Sequence, residues 1–340
     1  MTQRILPLRP APITSYLHHA YPLSIFPQEM DFAPWFFSRY IQLRMAEPYD
    51  PGMDSFNFYH INMYGWPWLV KERINKSLYR RLHIPFSKFV KECIDDGCYV
   101  YAYLNERYIP QRFGYHSLDY THDTLLYGYA DNDFLLTGFT DERTYDQTVV
   151  TSAELDLAYM NSSTDTLHHQ DIHILRPYAQ WEFSFSLSAI TRQLSDYLLS
   201  TNTSIKNAEY EQPLHGSFGI AAMNSLYEQL LTNPKFISTR DLHLLWEHKK
   251  IMLNRFAFLR KTVLPLSIEY ERSYSTIVDL AQSLRNSSIK REVLQRHDSR
   301  VASGYLRQQT LGMGELLLRI IAEERPILES LYSELDHKGD

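Results

Sequence analysis

Residues 98–139 constrain the fold more than any other part of this chain. Residues 99–104, 123–129 and 134–139 are rich in aromatic and β-branched side chains, which favour strands. The tripeptide Asp131-Asn132-Asp133 between the last two runs is a turn signal. The pattern therefore predicts three strands, of which the last two form a hairpin, and it places His122 at the start of the first hairpin strand.

Two phrases in this stretch carry a family resemblance. YVYAYLNERYIP followed by THDTLLYGY resembles the butirosin-biosynthesis-protein-H family. That family consists of papain-like acyltransferases associated with carrier-protein-linked biosynthesis of peptides and aminoglycosides. The segment DLHLLWEHKKIMLNRF is similar to the helical C-terminal part of the same family, and the likeness extends over roughly residues 14–260. The resemblance implies a papain-like fold, in which a histidine at a hairpin strand start acts as general base.

Composition narrows the class of protein further. The chain has 340 residues, a length typical of one large or two ordinary domains. Its aromatic fraction of 14% is enough to build a substantial core. A net charge of −6 indicates no general attraction to nucleic acid or to anionic membranes. The sequence contains no run of about 18 apolar residues, so no membrane span is predicted. We therefore expect a cytoplasmic protein with neither nucleic acid nor membrane as partner.

The apolar pattern changes after about residue 183, where helical spacing replaces a mixture of helices and strands. We predict an α+β protein with a papain-like domain and a small antiparallel sheet over residues 1–178, followed by a helical bundle domain over residues 179–340. In the first part, helices are predicted at 35–45, 66–82, 84–97 and 151–160, and a strand at 171–177. No convincing strand is predicted in the second part.

The resemblance implies a cysteine, a histidine and an aspartate in that order along the chain. His122 matches the histidine. The nucleophile is expected within TSYLHHAYPLSI, which contains no cysteine: a gap-free alignment places Tyr16 there, and a shift of one residue places Ser15 there. The third member falls on Gly138, with Asp141 three residues further on. Two of the three expected groups are therefore missing.

The remaining candidates leave two interpretations of this site. Tyrosine is a poor nucleophile because its pKa is about 10. Ser15 could react with His122 as base, or it could simply cap a short helix that is predicted to run through Ser24. The site is therefore either a working acyl-transfer centre with a non-standard nucleophile or a non-catalytic one. Cys98 is a rival nucleophile, but it precedes a strand and lacks the field of a helix N-terminus.

Cofactor and metal signals are weak throughout the sequence. Cys93 and Cys98 alone do not form a metal motif, and we interpret them as small buried hydrophobic residues. We interpret His168, His169 and His173 as parts of a solvated loop and a strand, not as metal ligands. No glycine-rich phosphate loop is found, so no cofactor and no metal are predicted.

By resemblance, this chain is expected to be an accessory protein of a nonribosomal-peptide type of pathway. It would bind, and in the enzymatic hypothesis transfer, a group tethered as a thioester to the phosphopantetheine of an acyl or peptidyl carrier protein. A small-molecule amine would accept the group in an amide-forming reaction. The basic segment KERINKSLYRR is either a docking site for an acidic carrier or a solvated helix face. The alternatives are an inactive binding module and a hydrolase that releases tethered intermediates.

Overall fold

A computed structural model of the chain describes residues 3–27, 29–50, 55–59, 65–166, 168–178, 180–183, 185–209, 212–234, 237–297 and 303–337. The strands are β1 (Gln3–Ile5), β2 (Leu43–Ala46), β3 (Phe56–Phe58), β4 (Leu69–Asn75), β5 (Tyr99–Asn105), β6 (Thr121–Ala130), β7 (Asp133–Phe139), β8 (Tyr145–Thr151), β9 (Asp171–Pro177) and β10 (Gly216–Phe218). The helices are α1 (Leu17–Ser24), α2 (Ala33–Phe37), α3 (Lys76–Arg80), α4 (Phe86–Asp95), α5 (Ser152–Met160), α6 (Leu187–Leu198), α7 (Gly219–Thr232), α8 (Thr239–Thr262), α9 (Glu269–His297) and α10 (Ser303–Asp336).

The chain is a mixed α+β protein that divides into two compact units. The first unit comprises Met1–Met30 and Trp66–Trp181, and the second comprises Asp31–Gly65 and Glu182–Asp340. The sequence placed a single boundary between residues 178 and 179, whereas this division falls after residue 181 and assigns residues 31–65 to the second unit.

The first unit is built on an antiparallel sheet with the strand order β4–β9–β5–β6–β7–β8. The three strands predicted from residues 98–139 are confirmed as β5, β6 and β7. Asp131 adopts a φ of 54°, a left-handed conformation that suits the tight turn between β6 and β7. The short strand β1 pairs with the end of β6, from Ile5 opposite Gly128 to Gln3 opposite Ala130.

Two helices of the first unit bury their apolar sides against one another. The aromatic rings of Phe86 in α4 and Tyr159 in α5 stack with centroids 4.2 Å apart. Thr151 caps α5 in a capping box with Glu154, as the sequence pattern favours. Gly97 follows α4 with a φ of 77°, which glycine adopts without steric cost. The predictions of both helices are confirmed.

Two helix predictions in this half are confirmed only over the short helices α3 and α2, because pairing between distant segments overrides local spacing elsewhere. Residues 69–75 form β4, which pairs along its whole length with β9, from Leu69 opposite Pro177 to Asn75 opposite Asp171. β4 ends the sheet, and the charged side chains it carries are typical of an edge strand. The helix predicted at 35–45 stops at Phe37 in α2, and Leu43–Ala46 is β2.

The second unit combines helices with a small sheet in the order β10–β2–β3. The expectation that the second part would contain no strand is wrong, because β10 pairs with β2, Phe218 lying opposite Arg44. The long helices α8, α9 and α10 supply most of the unit, so a helical C-terminal region is confirmed. Of the helices in the described ranges, none is both long and apolar enough to cross a bilayer. A cytoplasmic location stays a prediction.

A fully buried ion pair links these helices. Lys249 Nζ in α8 lies 2.7 Å from Glu324 Oε2 in α10, and neither side chain is exposed. The hydroxyl of Tyr197 in α6 donates to the same oxygen at 2.9 Å, and the hydroxyl of Tyr274 in α9 donates to Oε1. Because burial removes the hydration of both charges, each needs the other to remain in this core.

Removing one partner of this pair tests that dependence. We expect Lys249→Met to lower the free energy of unfolding by about 3–5 kcal/mol, because it leaves the Glu324 carboxylate buried without a cation. The double variant Lys249→Met/Glu324→Met should recover part of the loss, since it removes both charges. Urea unfolding measures both effects. A double variant less stable than the single one would contradict the explanation.

Candidate functional site

The candidate site lies where β6 and β7 diverge. The ladder between these strands starts at Leu125 opposite Thr137, so the first residues of β6 pair with β5 alone. The Tyr21 hydroxyl, from α1, lies 3.1 Å from the carbonyl oxygens of both Asp123 and Thr137. At this end of the sheet, the backbone carbonyl groups of the strands therefore accept hydrogen bonds from side chains and not from a neighbouring strand.

His122 stands at this opening with both ring nitrogens near carboxylates. Nδ1 lies 3.1 Å from Glu106 Oε1, and Nε2 lies 3.4 Å from Asp123 Oδ1. The Tyr120 ring stacks on the imidazole with centroids 5.2 Å apart, and 31% of the His122 side chain remains exposed. Two carboxylates favour the doubly protonated ring, which has no lone pair with which to accept a proton.

The charges around His122 explain the direction of its pKa shift. Burial opposes the cation, but the hydrogen bond to Glu106 and the charges of Asp123 and Glu106 outweigh it, so the pKa is raised above 6.5. Glu106 and Asp123 are 4% and 9% exposed, and the Arg112 guanidinium is buried nearby. When His122 is protonated, it and Arg112 balance the charges of the two carboxylates. Buried charges are tolerated in a protein interior when they are paired in this way.

Arg112 occupies the place where the third member of the expected triad would act. Its Nη1 donates to the carbonyl oxygen of Phe139 at 2.6 Å. A Cβ added at Gly138 would overlap Arg112 Nη1 and lie 2.8 Å from Nη2 and 2.9 Å from the Tyr21 hydroxyl. Any side chain at position 138 would therefore require the Arg112 guanidinium and the Tyr21 hydroxyl to shift. Asp141 is exposed and is not among the contacts of His122.

The two predicted nucleophiles lie at the start of α1. Tyr16 is the N-cap residue of this helix and accepts backbone hydrogen bonds from His19 and Ala20, each at 3.0 Å. The interpretation of Ser15 as the cap is therefore wrong. Both side chains are 4% exposed, and neither is among the contacts of the His122 ring, which are Glu106, Asp123 and Tyr120. The residue of α1 that reaches the site is Tyr21.

Tyr21 and Tyr101 surround Asp123 with phenol groups that stay protonated. The Tyr101 hydroxyl donates to Asp123 Oδ2 at 3.1 Å, and the two tyrosine rings meet edge to face at 5.5 Å. Burial first, and the charge of Asp123 second, hold the pKa of each phenol well above its ordinary value. These hydroxyls therefore serve as hydrogen-bond donors and not as nucleophiles.

The other candidates of the sequence lie apart from this cluster. Cys98 is 3% exposed and accepts a hydrogen bond from Arg176 Nε at 3.3 Å. Burial raises the pKa of the Cys93 thiol to about 12. His173 stacks on Tyr101, and burial lowers its pKa to about 4, whereas the His168 side chain lies outside the described residues. Within the described part of the chain, no three histidine, cysteine, aspartate or glutamate side chains gather as metal ligands.

The basic segment does not form the continuous charged helix that was one of its interpretations. Lys76 is completely buried, and its Nζ donates to the Tyr103 carbonyl at 2.6 Å. Arg80 donates to carbonyl oxygens of Tyr159, Met160 and Ser162 at the end of α5. The side chains of Lys76 and Arg80 are thus used in hydrogen bonds within the protein, so only the rest of the segment is available to contact a partner.

The connection between β5 and β6 forms the rim of the site. It supplies Glu106 and Arg112, and its backbone folds back on itself, with Glu106 N donating to Tyr120 O at 2.8 Å and His116 N to Arg107 O at 3.0 Å. Three of its apolar side chains are exposed: Phe113 by 62%, Leu118 by 46% and Tyr120 by 43%. The connection therefore exposes apolar surface, and of these three side chains Tyr120 stacks on the His122 ring.

Sequence reasoning missed both Glu106 and Arg112. They lie in a segment that it treated only as the break between two strands. Their burial, which only the structure reveals, is what marks them, because charged residues are rarely buried unless they are paired.

Comparison with known proteins adds no family to this description. No protein-family model matches the chain, and no curated protein is significantly similar to it.

Replacing Gly138 tests the packing of Arg112. We expect Gly138→Ala to lower the free energy of unfolding by about 1–3 kcal/mol, because the guanidinium is buried and cannot move aside without strain. Gly312→Ala is the control, since a Cβ at that position in α10 meets nothing within 4 Å. It should leave stability unchanged or raise it by about 0.5–1 kcal/mol. Equal effects of the two substitutions in urea unfolding would contradict the packing argument.

The stability provided by His122 should depend on pH with a defined sign. Its pKa is raised in the folded protein, so its contribution is complete below 6.5, the ordinary value, and is lost as pH rises through the folded value. The difference in unfolding free energy between the wild type and His122→Gln should therefore shrink as the pH rises above 6.5.

The control for this measurement is His337→Gln, which changes an exposed histidine beyond the end of α10. Its stability difference from the wild type should stay nearly constant over the same range. In addition, Glu106→Gln should lower the pKa of His122, as read from the imidazole NMR shifts. A stability difference for His122→Gln that grows with pH would overturn the assignment.

Proposed function

We propose that this protein is an accessory binding protein of a natural-product pathway of nonribosomal-peptide type. In this proposal its first unit is a papain-like domain that holds a carrier-tethered acyl or peptidyl group without transferring it. The observation that carries the non-catalytic part is the pair of carboxylates on His122, at 3.1 Å and 3.4 Å from its two ring nitrogens. A general base needs a nitrogen directed at the nucleophile, whereas here Nδ1 is hydrogen-bonded to Glu106 and Nε2 lies beside the Asp123 carboxylate.

The arrangement of elements supports a papain-like ancestry for the unit. An early helix, the start of one hairpin strand and the end of the next strand meet around Tyr21, Asp123 and Thr137. These are the three elements on which such folds carry nucleophile, base and orienting residue. The two phrases that resemble the butirosin-biosynthesis-protein-H family lie on β5 and β6, and this likeness is the support for a carrier-linked pathway.

The replacements at two of the three positions act against acyl transfer. The start of α1 offers Ser15 and Tyr16, both buried, in place of an exposed thiol. Position 138 is a glycine packed against Arg112. A charge-balanced cluster therefore stands where a reactive one would be needed, and the exposed apolar rim of Phe113, Leu118 and Tyr120 remains available to bind an apolar group.

The test uses a carrier protein loaded with an acyl thioester on its phosphopantetheine arm. We expect the full-length protein to bind the loaded carrier more tightly than the unloaded one. The lifetime of the thioester, followed by intact-protein mass spectrometry, should be the same with and without this protein. Faster loss that requires an added amine would instead show an acyltransferase, and faster release of free acid would show a hydrolase.

A matched pair of variants locates the binding surface. Phe113→Ser/Leu118→Ser removes two exposed apolar side chains from the rim, and we expect it to weaken binding of the loaded carrier about tenfold or more, in line with the apolar area lost. Leu157→Ser/Met160→Ser removes two equally exposed side chains from α5 and should leave affinity nearly unchanged. Equal losses in both variants, or no binding by the wild type, would overturn the proposal.

A further inference from the structure

The second unit contains a cavity of about 250 Å³. Ser38, Arg39, Gln42 and Tyr59 line one part of it, and the rest comes from Phe183, α6 and the short helical turn Thr203–Asn207. The size suits a small ligand, just below the usual range for drug-sized sites.

Hydrogen bonds between separate segments hold the walls in place. Gln193 Nε2 in α6 donates to the Ser38 carbonyl at 2.6 Å. Gln42 Nε2 donates to the Thr201 carbonyl at 3.1 Å, and Gln42 itself is 2% exposed. A cavity whose walls are bonded in this way exists before a ligand arrives, which reduces the ordering cost of binding.

The lining is positively charged in a chain whose net charge is −6. Arg39, Arg192 and Lys206 bring three positive charges, and Asp196 brings one negative charge, which leaves a formal balance of +2. The Asp196 carboxylate is already paired with Lys206, with Oδ2 and Nζ 2.7 Å apart. Arg39, whose guanidinium lies 5.0 Å from the Trp35 ring centroid, and Arg192 supply the remaining positive charge, and guanidinium forks match the oxygens of phosphate.

Thr203 adds an independent observation. Its side chain is 7% exposed and lines the cavity, yet its Oγ1 has no hydrogen-bond partner among the described residues. Buried hydroxyls are rarely left unmatched in proteins. Because Oγ1 itself exposes less than 1 Å², a rotation of the Thr203 side chain would bring this donor to an oxygen-rich ligand in the cavity.

We propose that this cavity binds a small phosphate monoester whose organic part is apolar or aromatic. The cationic balance of the lining equals the charge of a phosphate dianion, the Thr203 hydroxyl supplies a neutral donor, and Tyr59 and Phe183 provide aromatic surface for the organic part. The site lies within the second unit and is separate from the His122 cluster of the first.

Calorimetric titration of the full-length protein with phenyl phosphate at fixed ionic strength tests this assignment. We expect the wild type to bind phenyl phosphate more tightly than benzoate, phenol or inorganic phosphate, because the first alone combines a dianion with a ring. Absence of phenyl phosphate binding at millimolar concentration would overturn the proposal. Equal affinity for benzoate or phenol would do the same, since it would leave the dianion without a role.

Matched variants separate a built site from general charge attraction. Arg192→Gln should weaken phenyl phosphate binding about tenfold or more, whereas Arg307→Gln, at an exposed arginine of α10, should change it by less than about twofold. Thr203→Val removes only the hydroxyl and should weaken binding by about twofold to tenfold. An Arg307→Gln loss as large as that of Arg192→Gln would refute a specific site.

Discussion

At the open end of the β6–β7 hairpin, buried acidic and basic side chains neutralise one another, and the candidate site of the first unit depends on this pairing. Glu106 and Asp123 are carboxylates with little exposure, and Arg112 is a cation with almost none. His122 closes the balance, because its protonated ring meets a carboxylate at each nitrogen. The same contacts that stabilise this cluster raise the pKa of the imidazole and so favour its protonated form.

The charged cluster fits between β6 and β7 because these two strands separate at this end of the sheet. A continued ladder would bond the carbonyl groups near Asp123 and Phe139 to backbone amides. Instead, the Tyr21 hydroxyl and the Arg112 guanidinium approach them from the side. Gly138 is part of this arrangement, because any larger side chain would collide with the guanidinium. A single glycine that looks like a lost catalytic residue in the sequence is thus a packing requirement in the fold.

Local signals in the sequence predicted the elements that are set by local chemistry. The turn at Asp131, the capping box at Thr151 and the end of α4 at Gly97 all involve neighbouring residues, and the turn and both helices were predicted. β4 was mistaken for a helix because the spacing of Leu69, Ile74 and Leu78 fits a helix as well, and only pairing with β9, about a hundred residues away, decides the matter. β2 and β10 escaped notice for the same reason.

The site was predictable to the same extent. His122 was found because it stands at a recognisable strand start, and the approach of α1 to that strand followed from the resemblance. The identity of the contacting residue did not, since it depends on how far α1 slides along the sheet, and Tyr21 lies more than one helical turn beyond Tyr16. Glu106 and Arg112 were missed because the fold of the connection between β5 and β6 is set by its own backbone bonds and not by a periodic pattern.

The pairing of β2 with β10 has a consequence for how the protein is made. β2 and β3 leave the ribosome early, but β10 is synthesised roughly 160 residues later, on the order of 10 to 30 s at ordinary elongation rates. Until then, the edge of β2 that later pairs with β10 has backbone amide and carbonyl groups without a partner strand. It lies next to β3, whose Phe56 and Phe58 are buried in the folded protein. The nascent chain therefore has an interval in which chaperone protection of this early segment would matter most.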